Sequence, residues 1–241
     1  MRIGPTEVPE FGMPRTGLSR RQRAAKRLFD LTASLVLLLV LGPAILLLAA
    51  AVRLTSRGPA FFRQSRIGLH GQPFLIRKLR TMSHAHGDAN VVTAAGDARV
   101  TPFGRLLRRA KLDEWPQLWN IVKGEMSFVG PRPDVPGYAD RLEGEDRRVL
   151  ELRPGITGPA TLYFRHEEAI LAAQKDPTRY NDEVVYPAKV RMNLEYMRRW
   201  TFARDIGFLL ITAVPASNRR LRLIPDPAEP VAGGEQKRED E

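Results

Sequence analysis

The chain has 241 residues, enough for one sizeable domain with tails at its ends. Its 38 Lys and Arg residues outnumber its 27 Asp and Glu residues, for a net charge of +11. This excess predicts an anionic partner, which can be nucleic acid, anionic lipid or a phosphorylated substrate. The absence of cysteine from the sequence excludes disulfides, thiolate catalysis and cysteine-ligated metals.

Local composition divides the chain into four segments. Residues 1–19 carry scattered Gly and Pro without hydrophobic periodicity, which predicts a disordered lead-in. Residues 20–57 hold a basic flank and a long apolar run, and residues 58–213 have the pattern of one compact, α-rich domain. Residues 214–241 are polar and contain further Pro and Gly, so they are predicted to be a disordered tail.

Residues 31–52 form an apolar run without a charged side chain. Basic residues cluster on both sides of it, and residues 53–80 contain seven Lys and Arg residues and no acid. Such flanks are typical of contacts with anionic lipid headgroups. A soluble nucleic-acid-binding protein does not need an apolar run of this length, so no nucleic-acid partner is predicted. The basic residues of the N-terminal flank are Arg20, Arg21, Arg23, Lys26 and Arg27.

Three interpretations of the apolar run remain open. A signal peptide usually has a shorter apolar core, of about 7–15 residues. A single spanning helix fits the length, but it would place one basic flank outside the cell. The favoured interpretation is a re-entrant helix–break–helix that enters and leaves the membrane on the cytoplasmic side. Gly42 and Pro43 would form the break, because proline lacks a backbone donor and clashes with the preceding turn.

Turn and capping signals predict the elements of the remaining domain. Two short strands are expected at 61–62 and 74–76, joined through Gly68 and Gly71, and a polar loop is expected at 83–97. Helices are predicted over 102–110, opening at Thr101-Pro102, and over 114–123, 142–152, 167–175, 187–199 and 203–213. The last helix is too short to span a membrane and belongs in the core or the membrane plane. The predicted fold class is α-rich α+β, with a re-entrant membrane helix and amphipathic interfacial helices on a compact domain.

Two adjacent carboxylates, Asp113 and Glu114, lie at the predicted start of a helix and follow several cations. These cations are Arg105, Arg108, Arg109 and Lys111. A further arginine, Arg132, lies between two prolines in Gly130-Pro131-Arg132-Pro133. Carboxylates beside guanidinium groups suit chemistry on an anionic phosphate, because a carboxylate can attack phosphorus or bind Mg²⁺ while arginine binds phosphate oxygens. The alternative is that Asp113 only caps the helix.

Other candidate positions are weaker. His84, His86 and Asp88 have metal-ligand character, but they lie in the polar loop without a further histidine nearby, which disfavours a metal site there. The paired carboxylates are therefore the credible hard ligands, and they favour Mg²⁺. Trp115 and Trp119 are predicted to face the core from one side of the 114–123 helix.

Seven short motifs follow one another along the chain. They are Lys26-Arg27-x-Phe29-Asp30-Leu31, Gly58-Pro59-x-Phe61-Phe62-x-Gln64-x-Arg66-x-Gly68, Lys78-Leu79-Arg80-Thr81-Met82, Asp97-x-Arg99-Val100-Thr101-x-Phe103-Gly104, Leu112-Asp113-Glu114-x-Pro116-Gln117-Leu118, Met126-Ser127-x-Val129-Gly130-Pro131-Arg132-Pro133 and Pro154-Gly155-Ile156-Thr157-Gly158. In this order they closely resemble the small form of the bacterial sugar transferases, the monotopic polyprenyl-phosphate phosphoglycosyl transferases. The sequence departs from the family pattern after Gly158, where Pro159-Ala160-Thr161 replaces a common Trp-Ala-Gln, and this difference bears on the sugar.

The resemblance implies the transfer of a sugar-1-phosphate from a nucleotide sugar, with UDP the expected nucleotide, to polyprenyl (undecaprenyl) phosphate. This reaction initiates the assembly of exopolysaccharide or another glycoconjugate. The enzyme is expected at the cytoplasmic face of the bacterial plasma membrane, in contact with anionic lipid, with residues 58–213 as its cytoplasmic catalytic domain. A homodimer is compatible with the sequence.

The resemblance also implies roles for individual residues. Asp113 would be the nucleophile that forms an aspartyl-phosphosugar intermediate and also a ligand of Mg²⁺, and Glu114 would be a general base or the second metal ligand. The substrate phosphates would be bound by Arg108, Arg132, Lys78 and Arg80.

Two other functions compete with this interpretation. A non-catalytic membrane assembly or regulatory protein could keep the same fold, although the intact Asp113-Glu114 pair argues against it. A hydrolase could use the same two carboxylates with water as the acceptor. The sequence separates the transferase from the hydrolase poorly, because only the fate of the intermediate differs.

Overall fold

The computed structural model describes residues 17–83 and 99–213. The predicted tail, nearly all of the predicted lead-in, and the loop residues His84, His86 and Asp88 lie outside the described residues. The helices are α1 Arg20–Thr55, α2 Pro102–Arg109, α3 Leu118–Lys123, α4 Pro159–Tyr163, α5 Glu167–Ala172, α6 Pro177–Tyr180, α7 Tyr186–Arg198 and α8 Phe202–Ala213. The strands are β1 Phe61–Ile67, β2 Pro73–Leu79, β3 Ser127–Val129 and β4 Gly155–Thr157. Helix is therefore the main secondary structure of the described chain, as predicted.

Helix α1 begins with a capping box, in which the Ser19 hydroxyl accepts from the backbone N–H of Gln22 and the Gln22 side chain accepts from that of Ser19. The helix then continues for 36 residues, and Pro43 lies inside it. The predicted interruption at Gly42 and Pro43 is therefore wrong at the level of secondary structure. Proline removes one backbone hydrogen bond, and the intact turns on both sides carry the helix past it. The route of the helix through a membrane stays a prediction.

Both halves of α1 pack on the same domain. In the first half, Phe29 and Leu37 contact the main hydrophobic core. In the second half, Ala49 and Val52 form a buried cluster with Leu79 and Leu107 from β2 and α2. The opposite face is apolar and exposed, and it includes Leu35, Leu39, Val40, Leu46 and Leu47. The helix thus lies along the domain with one apolar face exposed.

Strands β1 and β2 form an antiparallel hairpin, which confirms the two predicted strands. The connection runs through Gly68 and a 3-10 turn, Leu69–Gly71, in which His70 and Gly71 have positive φ values of 57° and 77°. Fully buried Asn120 ties this hairpin to α3, because its amide group donates to the Leu75 carbonyl (2.8 Å) and accepts from the Arg77 N–H (3.2 Å).

A second, parallel ladder joins β3 to β4 and was not predicted. The two segments approach so closely that a Cβ atom on Gly130 would lie 2.2 Å from the Arg153 carbonyl oxygen, and one on Gly155 would lie 2.2 Å from the Gly130 nitrogen. Backbone hydrogen bonds from Gly130 to Thr157 (2.9 Å) and from Gly155 to Pro131 (2.7 Å) complete the contact. Two of the sequence motifs therefore meet through their glycines.

The other predicted helices are confirmed with changes. The Thr101 hydroxyl accepts from the Gly104 N–H and caps α2, as its sequence predicts. The predicted 114–123 helix is a 3-10 helix, Leu112–Gln117, that leads into α3, which ends at Gly124 with a φ of 81°. Trp119 is exposed, so its predicted core position is wrong, and Asn120 and Ile121 are buried instead. The predicted 142–152 helix is a short 3-10 helix, Asp146–Glu151.

Asp205 on α8 connects the first and last helices. Its carboxylate accepts hydrogen bonds from Lys26 Nζ (2.5 Å), the Tyr196 hydroxyl (2.6 Å) and Trp200 Nε1 (3.1 Å), all in the buried interior. Arg27 is also used internally, since it donates to the carbonyls of Ile121 and Val122 at the end of α3. Lys26 and Arg27 therefore also hold the fold together, and their predicted contact with lipid headgroups stays a prediction.

Replacing Asp205 with Asn should lower the free energy of unfolding by about 3 kcal/mol, because the Lys26 ammonium would stay buried without its counter-charge. Denaturant unfolding of the detergent-solubilised protein measures this loss. The matched control is Glu183→Gln, which breaks the exposed pair with Arg179 and should change stability by less than about 0.5 kcal/mol. Equal losses in the two variants would contradict the structural role of Asp205.

Candidate active site

The 3-10 helix Leu112–Gln117 carries the two adjacent carboxylates. Lys111 precedes it with φ 57° and ψ 20°, a left-handed conformation that a residue with a side chain rarely adopts. This residue makes the sharp turn from α2 into the 3-10 helix. The structure also corrects the capping interpretation of Asp113, because Lys111 occupies the N-cap position and no side chain caps this helix.

Glu114 joins two other segments of the chain. Its Oε1 atom accepts from Lys78 Nζ on β2 at 2.8 Å and from Arg132 Nη2 at 3.2 Å. Burial alone would raise the pKa of Glu114, but the charges of Arg132 and Lys78 outweigh burial and lower this pKa to about 2. Glu114 is therefore an ionised anchor, and its Oε2 atom accepts no hydrogen bond from the described residues.

Asp113 has the opposite environment. It is 7% exposed, and its carboxylate accepts no hydrogen bond within the described part of the chain. Burial is the first cause that raises the pKa of Asp113 and the adjacent Glu114 charge is the second, while Lys78, Arg108 and Lys111 act in the opposite direction. A carboxylate with free oxygens near several cations is available to an incoming group.

Two further arginines were predicted to bind phosphate. Arg108 Nε donates to the Thr81 hydroxyl at 2.9 Å, and the guanidinium is close enough to act on the pKa of Asp113. Arg80 lies elsewhere, because its Nη2 atom donates to the carbonyl and the hydroxyl of Ser56, both at 2.7 Å. Arg80 thus holds the C-terminal end of α1 and does not contact Glu114, and its predicted contact with a substrate phosphate stays a prediction.

Sequence reasoning missed three residues of the site. Arg66, Gln117, Lys78, Glu114 and Arg132 line one small pocket. The Arg66 guanidinium donates to the Pro133 carbonyl (3.1 Å) and to Gln64 (2.7 Å), which holds the turn that carries Arg132. The third residue, Asp134, follows that turn. Arg66 and Gln117 stand inside quoted motifs and Asp134 adjoins one, but nothing in the sequence distinguishes their roles.

Asp134 is half-buried and lies two residues after Arg132. Its Oδ2 atom accepts from the Tyr186 hydroxyl at 3.3 Å, and its carbonyl accepts from the Ile67 N–H at 2.9 Å. Burial raises the pKa of Asp134 to about 6, against the lowering effects of Lys189, Tyr186, Arg66 and Arg132.

The residues present fit a magnesium ion. Mg²⁺ in phosphate-transferring sites is usually held by one or two carboxylates together with substrate phosphates. Asp113 has two free oxygens and Glu114 has one, on consecutive residues. The described residues contain no cluster of three or more His, Asp or Glu side chains that could hold a metal without help from a substrate.

Comparison with known proteins gives a consistent match. The family model described as bacterial sugar transferase matches residues 21–218. A UDP-glucose:undecaprenyl-phosphate glucose-1-phosphate transferase from Caulobacter vibrioides is 39% identical, over 85% of this chain and 72% of that protein. An undecaprenyl-phosphate glucose phosphotransferase from Komagataeibacter xylinus is 38% identical over 88% of this chain but only 39% of its own length. The exopolysaccharide production protein ExoY of Rhizobium meliloti is 34% identical, over 80% of this chain and 84% of that protein.

The raised pKa of Asp134 leads to a test by pH. The folded state favours the protonated form of Asp134. The contribution of this carboxyl group to stability is therefore present below its ordinary pKa of 3.8 and is lost as the pH rises through about 6. Asp134→Asn should therefore stabilise the protein by about 1–2 kcal/mol above pH 7 and match the wild type near pH 3.5.

Thermal unfolding across this pH range measures the effect. The control is Asp182→Asn, because exposed Asp182 also accepts from a tyrosine hydroxyl, that of Tyr138, at 3.3 Å. A destabilised Asp134→Asn variant at pH 8 would contradict the raised pKa.

Proposed function

Because the chain belongs to the bacterial sugar transferase family, we propose that it moves a sugar-1-phosphate from a nucleotide sugar to a polyprenyl phosphate. The observation that carries this proposal is the contrast between two adjacent carboxylates. Glu114 is held by Lys78 and Arg132, whereas buried Asp113 keeps its oxygens free of hydrogen bonds from the described residues. One carboxylate is thus structural and the other is available for chemistry.

The names of the relatives support a choice of substrates. Several at 34–39% identity are named as transferases of glucose-1-phosphate from UDP-glucose to undecaprenyl phosphate. We infer a UDP-sugar as the donor and undecaprenyl phosphate as the acceptor, with the product entering exopolysaccharide assembly. Residues 159–161 depart from the family pattern, so the sugar is to be identified by assay with a panel of nucleotide sugars.

The reaction proceeds in two displacements on one phosphorus. A carboxylate oxygen of Asp113 attacks the phosphorus that bears the sugar, and the bond to the nucleoside monophosphate breaks with its electron pair on the departing phosphate oxygen. An oxygen of the polyprenyl phosphate then attacks the same phosphorus and releases the Asp113 carboxylate. The products are the nucleoside monophosphate and a polyprenyl diphosphate sugar.

Positive charge lets an anionic nucleophile approach an anionic donor. Lys78, Arg108 and Lys111 lie close enough to lower the pKa of Asp113, which opposes the raising effects of burial and of the Glu114 charge. Arg132, half exposed beside Glu114, can turn its planar guanidinium to donor phosphate oxygens. Asp113 and Glu114 would hold Mg²⁺, which would neutralise charge on the diphosphate when bound.

The packing of α1 supports attachment to one face of a membrane. A spanning helix leaves the domain on one side, yet both halves of α1 contact the same domain. The exposed apolar face, with Leu39 and Leu47, remains available for lipid. We infer that α1 enters and leaves on the cytoplasmic side of the inner membrane.

Two other functions can be separated by experiment. A regulatory protein of the same fold would not need a hydrogen-bond-free carboxylate in a buried position, which carries a free-energy cost. A hydrolase would use water as the acceptor, so it would release sugar phosphate even when polyprenyl phosphate is absent. Nucleoside monophosphate release that depends on polyprenyl phosphate, assayed with a panel of nucleotide sugars, distinguishes the transferase from both.

Asp113→Asn should reduce transfer by at least about a thousandfold, since the amide is a poor nucleophile, while the protein stays folded. Turnover is measured as nucleoside monophosphate release in lipid nanodiscs. Asp146→Asn, the same change at the exposed start of the 3-10 helix Asp146–Glu151, is the control and should keep full activity. Substantial activity in Asp113→Asn, or a phosphosugar trapped on another residue, would exclude the covalent step.

Removal of divalent metal should abolish activity, because a cation held by Asp113 and Glu114 would neutralise the repulsion between these carboxylates and the donor diphosphate. Excess EDTA is expected to stop turnover, and added Mg²⁺ or Mn²⁺ should restore it. Binding of Mn²⁺ with donor, followed by electron paramagnetic resonance, should be lost in Asp113→Asn and kept in Asp146→Asn. Full activity in EDTA would rule out the metal.

Single cysteines test the topology, because the chain has none of its own. Glu10→Cys and Asn90→Cys are labelled in intact cells with a membrane-impermeant thiol reagent. Both sites should be protected in intact cells and labelled after lysis. Labelling of residue 10 alone in intact cells would show a single-pass helix and would overturn the re-entrant arrangement.

A further inference from the structure

A larger cavity, of about 520 Å³, lies apart from the two carboxylates. It is bounded by the N-terminal part of α1, the turn Leu69–Gly71, β3 and the end of the 3-10 helix Asp146–Glu151. None of its lining residues lines the pocket of Glu114. Its size is within the usual range for small-ligand sites, about 300–1,000 Å³.

Four basic side chains line this cavity together with apolar ones. Arg23, Lys26, Arg27 and Arg153 face it against only two carboxylates, Asp30 and Glu151. Both carboxylates are already engaged, because Asp30 accepts from the Phe128 N–H (3.1 Å) and Glu151 pairs with Arg148 (3.2 Å). Lys26 pairs with Asp205, outside the cavity. Three guanidinium groups then face two carboxylates, so the wall keeps a net positive charge.

Two of these guanidinium groups are held rigidly side by side. Arg27 donates to the carbonyls of Ile121 (2.6 Å) and Val122 (2.7 Å), and Arg153 donates to the carbonyl of Gly124 (2.9 Å). These carbonyls are the C-terminal end of α3, so each arginine also caps that helix. Burial lowers the pKa of Arg153, and the neighbouring charge of Arg27 lowers it further. A bound anion would relieve this repulsion.

Two further side chains at the cavity have no fixed partner. Arg23 and His70 are exposed and make no side-chain hydrogen bond or ion pair with the described residues. His70 is held there by its left-handed backbone, with φ 57°. A fixed pair of guanidinium groups with movable groups at the rim is an arrangement that suits a phosphate, since arginine binds two phosphate oxygens at once.

The position of the cavity indicates the source of that phosphate. The apolar run of α1 begins at Leu31, directly after Asp30, which lines the cavity. In a protein held in a membrane by α1, the cavity lies at the level where lipid headgroups meet water. We propose that this cavity binds a phosphate group, and that its ligand is the headgroup of an anionic phospholipid. The proposal concerns lipid binding and does not depend on transfer of a sugar phosphate.

A short-chain phosphatidylglycerol, below its micellar concentration, is titrated into the full-length protein in neutral detergent and followed by calorimetry. Arg23→Gln should weaken this binding about fivefold. The control, Arg21→Gln, removes the same charge from the same flank without touching the cavity and should bind like the wild type. Transfer activity in neutral phosphatidylcholine nanodiscs should be equal in both variants, so loss of lipid binding is separable from loss of catalysis.

Inorganic phosphate is the second probe. If it binds as tightly as phosphatidylglycerol and competes with it, the cavity is a phosphate site that a free anion fills, and the lipid assignment is overturned. If phosphatidylglycerol fails to bind, the whole proposal is wrong. It is also wrong if Arg21→Gln weakens binding as much as Arg23→Gln, because general surface charge would then account for the attraction.

Discussion

The candidate site depends on Glu114, a half-buried carboxylate whose charge is neutralised from two directions. Glu114 comes from a 3-10 helix, Lys78 from β2 and Arg132 from the turn after β3. An uncompensated charge at this depth costs several kcal/mol, so the three segments are stable only when they meet. Other contacts serve the same assembly: Asn120 fastens β2 to α3, and the Gly130–Gly155 contact fixes the turn that carries Arg132. With Glu114 committed to this task, Asp113 remains chemically available next to it.

Much of this site could be predicted from the sequence, because its residues lie in short motifs. Asp113, Glu114, Arg108 and Arg132 were identified from charge chemistry and family resemblance, and the structure brings Glu114, Lys78 and Arg132 into contact. Arg80, two residues after Lys78, lies away from Glu114. Strand β2 ends at Leu79, so the alternation that pairs side chains on one face no longer applies, and the guanidinium turns to Ser56. Asp134 was missed because its environment is created by α7, over fifty residues later.

The fold elements that were predicted correctly depend on neighbouring residues, whereas those that were missed depend on contacts between distant parts of the chain. The hairpin, the cap of α2 and the stop at Gly124 depend on residues within a few positions of one another, and all three were predicted correctly. Strands β3 and β4 have three residues each and are mostly buried, which is too short for any periodic signal. Pro43 does not interrupt the helix, because a long helix with intact turns on both sides can lose one hydrogen bond and continue. The bend that Pro43 was expected to cause stays a prediction.

The contact between Lys26 and Asp205 has a consequence for how the chain folds. Lys26 and Asp205 are 179 residues apart in the sequence. At synthesis rates of about 5–20 residues per second, Asp205 is therefore made roughly 9–36 s after Lys26. During that interval α1 can meet the membrane while the domain that will pack against it does not yet exist. Closure onto α1 is therefore a late event of high contact order. A nascent chain stalled before α8 would hold an anchored helix without its docked domain, which makes completion of the last helix the step that commits the protein to its folded state.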